Sequence, residues 1–319
     1  MEESNMPSVD TWHRKIPVLL VAALLAACGG GGGGSSAPVI QPPVAPQVIP
    51  PGAPAATGDT ALDGYNWFNY RRAGIGLSTL SRNAQLDAAA AGHSNYLRLN
   101  STVSHDQEAG NPGYTGATLG QRFAAAGYKL VDPYAYGEVI SAAGDRSGFY
   151  HAEELIAAIY HRFVILQPVF REMGTGASST GNYTYFTADM ATNGGYGPGL
   201  GRGRIATYPS DGQALVPTTF LSDTESPDPV PNQNAVGYPV SVHADISGNI
   251  VVTSFTIKPR SGGQMSTRLL SSAADSHTPA YVAAIIPLTT LTANTTYDVS
   301  FSGTVDGIQV TRNWSFTTK

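Results

Sequence analysis

The chain has 319 residues, of which 42% are hydrophobic and only 13% charged, and its formal net charge is −5. At roughly 100–200 residues per domain there is room for about two domains with real cores. So thin and slightly acidic a charge excludes electrostatic recruitment of nucleic acid or of an anionic lipid surface.

At the N-terminus, His13-Arg14-Lys15 precede an apolar run from Ile16 to Ala27 that is interrupted by Pro17 and ends in Leu25-Ala26-Ala27-Cys28. The run is shorter than the ~20 apolar residues needed to cross a bilayer, so residues 1–28 read as a signal peptide. Its last four residues resemble a bacterial lipobox, which predicts cleavage before Cys28 and acylation of that cysteine, with palmitate among the acyl groups. Cys28 is the one cysteine of the chain, so no thiol remains for disulfides, thiolate metal sites or cysteine catalysis. Residues 29–58 pass from a glycine run, Gly29 to Gly34, into a stretch with Pro38, Pro42, Pro43, Pro46, Pro50, Pro51 and Pro54. A flexible coil followed by a stiffer polyproline-like spacer makes a tether. These segments predict an extracytoplasmic protein held by a lipid anchor on a bacterial cell-envelope membrane, the outer one in a Gram-negative cell.

The first folded region is expected over 59–192. Leu62, Tyr65, Phe68 and Asn69 fall at helical spacing behind Asp59 or Thr60, and Gly74-Ile75-Gly76 ends the helix. A second helix, Asn83 to Leu99, presents Leu86, Ala89, Ala90, His93, Tyr96 and Leu97 along one side, which makes His93 a buried, hydrogen-bonded histidine. Ser104-His105 lies in a polar loop before the turn signal Asn111-Pro112-Gly113, and a third helix from Leu119 to Ala126 stops at Gly127. Tyr134 to Ile140 alternates as a strand, placing Glu138 with Tyr134, Tyr136 and Ile140 on one face; a carboxylate there needs a cation or donors, or stays protonated.

From Tyr150 to Leu166 the spacing predicts one helix with a core stripe of Leu155, Ile156, Ile159, Phe163 and Leu166. His161 falls beside that stripe, above the small side chains of Ala157 and Ala158, which would leave open space next to its ring. Strands are expected near Met173 to Thr175 and Tyr183 to Met190. The glycine-rich residues 193–204 read as a linker or surface loop, since no strand-turn-helix setting makes them a phosphate loop.

From 205 to 319 the pattern is short alternating runs: Tyr238 to Val242, Ile250 to Ile257, Tyr281 to Ile286, Tyr297 to Phe301 and Ile308 to Phe316. Val305-Asp306-Gly307-Ile308 is a two-residue hairpin signal. Leu291 to Tyr297 resembles the tyrosine-corner segment of fibronectin type III and Ig-like sandwiches, and Trp314 to Thr318 resembles the last strand of bacterial Ig-like modules. An all-β Ig-like sandwich is the expected packing, with His243 and His277 as isolated surface residues and nothing catalytic.

In the first region the ordered set Asn69-x-x-Arg72-x-x-x-Gly76-Leu77, Leu86…Ala90…His93-Ser94, Ser104-His105, Gly137-Glu138, His161-Arg162-x-x-Ile165-Leu166 and Gly174-x-Gly176 resembles the CAP superfamily. This group, also called SCP-like, is named for cysteine-rich secretory proteins, antigen 5 and pathogenesis-related 1, and the likeness is to its disulfide-free bacterial branch. The resemblance implies an α-β-α sandwich with a cleft holding two histidines and two acidic residues. Position by position, His105, Glu138 and His161 match three of them. Ala158 stands where the second glutamate is expected, and Glu154 lies roughly 10 Å away from His161 along a continuous helix.

Two imidazoles and a carboxylate suit a divalent cation such as zinc, general acid–base work, or a buried hydrogen-bonded pair joining strand to helix. No nucleophile elbow and no thiol stands beside them. The expected fold class is α+β, an α-β-α sandwich followed by an all-β sandwich. The leading functional expectation is non-enzymatic binding of a lipid, another small hydrophobic ligand or an envelope partner in a cleft of His105, Glu138 and His161. A metal-dependent hydrolase of peptides or envelope polymers using those residues is the alternative, and a structural or adhesion module is the third.

Overall fold

The computed structural model describes residue 50 and residues 52–319. The signal segment, Cys28 and most of the tether lie outside the described residues. The first part comprises α1 (Thr60–Gly74), β1 (Ser81–Arg82), α2 (Ala84–Asn100), α3 (Leu119–Ala125), β2 (Ala135–Ala143), α4 (Gly148–Ala157), α5 (Ile159–Ile165), β3 (Glu172–Thr180) and β4 (Tyr183–Thr192). Polar caps start the first three helices. Asp59 accepts from the Leu62 amide, Asn83 from Gln85 and Leu86, and Thr118 with Gln121 closes a capping box before α3. Each cap satisfies amides that the first helical turn leaves open.

The strands form one sheet in the order β1-β3-β4-β2, with β1–β3 parallel and the other pairs antiparallel. Alternation along β4 sorts the helices into two layers. Phe186, Ala188 and Met190 join Trp67 and Phe68 of α1 and Leu155 and Ile156 of α4. On the other face Tyr185 packs with Tyr96 and Leu97 of α2, and Ala191 with Leu86 and Phe123. The product is the helix–sheet–helix sandwich that the resemblance implied. On β2, Val139 belongs to the first layer, while Tyr136 and Ile140 belong to the second, the layer of α2 and α3.

The single helix expected over 150–166 is two helices. Ala158 ends α4 in an extended conformation (φ −67°, ψ 118°) and α5 starts immediately after it. The predicted core stripe is nonetheless buried, but it is divided: Leu155, Ile156 and Leu166 enter the first core, whereas Ile159 and Phe163 enter a cluster with Phe220, Val282 and Ile286.

The C-terminal part contains β5 (Ala206–Tyr208), β6 (Gln213–Val216), β7 (Thr219–Leu221), β8 (Ala235–Gly237), β9 (Val240–His243), β10 (Ile250–Pro259), β11 (Thr267–Ser271), β12 (Val282–Pro287), β13 (Thr296–Val305) and β14 (Ile308–Thr318). One four-stranded sheet has the order β10-β13-β14-β6, and the other β11-β12-β9-β5. Phe255, Ile257, Val299 and Phe301 of the first meet Val240, Val242, Ala283 and Ile285 of the second in a common core. The longer strands fall where alternation places them. Strands β5 to β8 and β11 are too short to show a period. The β13–β14 turn has Asp306 at φ 54° and Gly307 at φ 77°, the left-handed pair that a two-residue hairpin requires.

His243 corrects one expectation. It lies on β9 with no solvent exposure, Ser241 within hydrogen-bond distance at 2.9 Å and the Phe163 ring beside it. Burial, with the nearby Arg162 and Arg72 charges, lowers its pKa to about 3. His277 is half-exposed, as expected.

Helix α5 is shared by both parts. Ile159, Tyr160 and Phe163 pack among Phe220, Val282 and Ile286. The glycine-rich run is bonded on both sides: Gly194 and Gly197 donate to the Val131 and Val169 carbonyls, while the Leu200 and Gly201 amides donate to the Asp245 carboxylate.

Gly174 and Gly176 let α2 lie directly on β3, since a methyl group on Gly176 would overlap the backbone of Ala90 and Ala91. Gly176→Ala is expected to lower stability by about 1–3 kcal/mol, as overpacking does, seen as a fall in the urea midpoint. An unchanged midpoint would mean that α2 is not seated so closely.

Candidate functional site

Glu138 projects from β2 toward α2 and α3 and is 6% exposed. Charge in such a place must be matched by donors. Arg122, one turn into α3, donates through Nη2 to both carboxylate oxygens (2.8 and 2.7 Å) and through Nη1 to the His105 carbonyl at 2.7 Å. His105, on the loop after α2, donates from Nδ1 to Glu138 at 2.8 Å. Arg122 thus holds the acid and the loop that carries its histidine together. Burial pushes the Glu138 carboxyl upward. The Arg122 guanidinium and the His105 N–H override it and hold that carboxyl well below the usual range.

His93 is buried as expected, and its tautomer follows from its neighbours. Nε2 lies 2.8 Å from the Ser104 carbonyl, which can only accept, so Nε2 carries the proton. Nδ1 then accepts from the Gln107 amide at 2.9 Å, whose oxygen in turn accepts from the Thr115 amide. Burial keeps this ring neutral, with a pKa lowered to about 4.

Asp189 stands opposite Glu138 in the β2–β4 register and has no solvent exposure. Neither of its oxygens meets a donor. Burial and the adjacent Glu138 charge raise its pKa well above the ordinary carboxyl value. A proton on Asp189 leaves one negative charge rather than two on these adjacent acids.

His161 is elsewhere. Its helix packs on the opposite face of β2, where Val164 lies over Gly137. The His161 ring donates from Nδ1 to Glu225 at 3.1 Å, and no hydrogen bond or ion pair joins it to His105 or Glu138. Glu225 follows β7 and also accepts from the amides of Ile159, Tyr160 and His161 at 2.8, 2.7 and 3.2 Å. The structure therefore brings His105 and Glu138 together but places His161 in a separate pair. Among the described residues no group of three His, Cys, Asp or Glu side chains is placed to hold a metal ion, so the trio does not assemble a zinc site.

Glu154 is likewise occupied. The Ser141 hydroxyl lies 2.9 Å from its carboxylate and 2.7 Å from His151 Nδ1. His151 donates from Nε2 to the Asp145 carbonyl. Both Ser141 and His151 are buried, so this hydroxyl–imidazole pair is closed to substrate.

Arg122, Asp189 and Glu225 were not anticipated from sequence. The need for a cation at Glu138 was the signal for Arg122, and the alternation of β4 placed Asp189 on the same face. For Glu225 no local signal exists.

A profile of the CAP family, described as the cysteine-rich secretory protein family, matches residues 65–190. No curated protein matches the chain. Among solved structures, an extracellular protein containing an SCP domain from Bacillus anthracis is 24% identical over 41% of this chain, with a TM-score of 0.35. The match spans only 39% of that protein's length. An outer surface protein from Borrelia burgdorferi is 16% identical over 40% of this chain and 89% of its own (TM-score 0.34). Venom allergen-like protein 4 from Schistosoma mansoni is 10% identical over 44% and 92% (TM-score 0.30).

The Asp189 proton has a measurable sign. An aspartate with a raised folded-state pKa contributes stability below its unfolded value of about 3.9 and loses it as pH rises through the folded value. A carboxamide in its place stays neutral at every pH. Asp189→Asn is therefore expected to raise the urea midpoint at pH 7 and to lose that advantage by pH 4. A variant less stable than the parent at pH 7 would show that the fold does not raise the Asp189 pKa.

Proposed function

Because residues 65–190 belong to the CAP family of cysteine-rich secretory proteins, we propose that this is an extracytoplasmic CAP-domain lipoprotein of a bacterial cell envelope that binds rather than transforms its ligand. The ligand class is a lipid or other small hydrophobic molecule, or an envelope component, met by the CAP region. The anchor is an acylated Cys28, and the C-terminal sheets act as an Ig-like module. The Tyr297 hydroxyl accepting the Thr292 amide at 2.8 Å supports that last assignment, since a tyrosine near a strand start bonded to backbone upstream is the corner of such sandwiches.

The observation that carries the binding reading is the saturation of the acids. Glu138 is held by Arg122 and His105, and Glu225 by three amides and His161. Each acid is thereby spent on fixing its own histidine and the nearby backbone rather than on taking a proton from substrate or water. The hydrolase reading requires His105, Glu138 and His161 to converge, and they occupy two faces of the sheet. Among the described residues no helix is long and apolar enough to cross a membrane.

Two measurements test the proposal. In cells fed an alkyne analogue of palmitate, the parent chain is expected to be labelled and to sediment with membranes, whereas Cys28→Ser is unlabelled and released. Retention and labelling of that variant would remove the anchor. Native mass spectrometry of the protein extracted in mild detergent is expected to show a bound small molecule. An empty protein that cleaves an envelope polymer, with the activity lost in His105→Ala, would replace binding by catalysis.

A further inference from the structure

Helix α5 has no cap of its own: Ala158 offers no side-chain acceptor, and the helix starts inside the protein. Glu225 closes it from 64 residues further along the chain. Four donors converge on its carboxylate, which has no solvent exposure. A carboxylate only accepts, so His161 Nδ1 must carry a proton. In the neutral ring Nε2 is then the bare nitrogen. That atom has no hydrogen-bond partner and keeps a small contact with solvent, on a side chain that is 6% exposed.

The segment bearing Glu225 is fixed independently. Ser222 bonds Asp228, and the Val230 amide donates to Asp228 at 2.8 Å. On the other side of α5, Arg162 lies between the rings of Tyr208 and Tyr238, 4.8 and 4.9 Å from their centroids, and donates to the Pro239 carbonyl at 2.7 Å. Tyr160 donates to Asp275 at 3.1 Å. Contacts from several strands and loops thus lock the junction in which Glu225 meets His161.

We infer that Glu225 is a positioning residue for the CAP region: the C-terminal part supplies the acid that turns His161 with Nδ1 inward and Nε2 outward. The orientation of that imidazole is therefore a joint product of both parts of the chain. The binding reading is not needed for this inference, and no ligand enters its test.

Long-range ¹H–¹⁵N spectra of the described chain, recorded without ligand at pH 8, read the protonated nitrogen directly. The expected result is a slowly exchanging Nδ1–H and a bare Nε2 on His161. In Glu225→Ala the ring should revert to the Nε2–H form that free imidazole favours, and the amides of Ile159 to His161 should exchange faster. Glu225→Gln, whose amide oxygen still accepts, should restore the Nδ1–H signal. A parent His161 protonated at Nε2 and bare at Nδ1, or a ring unmoved by Glu225→Ala, overturns the inference. If Glu225→Ala fails to fold, the parent spectrum alone decides.

Discussion

A carboxylate withdrawn from water must be surrounded by donors, and Glu138 imposes that demand on every element around it. Arg122 meets it with a two-toothed contact, but its guanidinium also reaches the His105 carbonyl, so the loop after α2 is fixed by the same cation. His105 then closes the ring of contacts from the loop side. Asp189, too close to share the negative charge, is left to carry a proton. What joins α3, the loop, β2 and β4 in this layer is thus one set of charges whose sum is kept near neutral. Hydrophobic packing holds the layers together, but this network decides where the loop and its histidine lie.

Much of the first region could be read from the residues because its signals are local. The cap at Asp59, the stripe on α2 and the alternation about Glu138 each depend on neighbours within a turn or a strand. The CAP resemblance grouped His105 and Glu138 with His161 in one cleft, and of these the first two are bonded to each other. His161 was misplaced for a different reason. Its position on a helix was clear, but which face of the sheet that helix covers is a property of packing, fixed by Val164 over Gly137. His243 shows the same limit. A lone histidine in an alternating strand looks like a surface residue until the sheet it belongs to is covered by α5 on its outer side.

The two parts of the chain are less separable than a glycine-rich junction suggests. Interfaces between domains of one chain are commonly modest and polar, which leaves relative motion as the default. Here Ile159, Tyr160 and Phe163 sit in an apolar cluster built mainly from C-terminal residues, and Arg162 is enclosed by two tyrosines of that part. Each fully buried apolar side chain of this size contributes about 1.5–3 kcal/mol. Such contacts favour one fixed arrangement of the two parts over a hinged pair.

The break at Ala158 also bears on the order in which the chain is completed. A helix whose first amides are capped by its own preceding residue can finish as soon as it is synthesised. The first turn of α5 instead waits for an acceptor that arrives 64 residues later, after β3, β4 and the glycine-rich run have been made. N-terminal domains usually fold first during synthesis. This one can build its sheet and outer helices early, but its last helix stays open until the C-terminal strands appear, so the nascent sandwich is committed to its partner before either is finished.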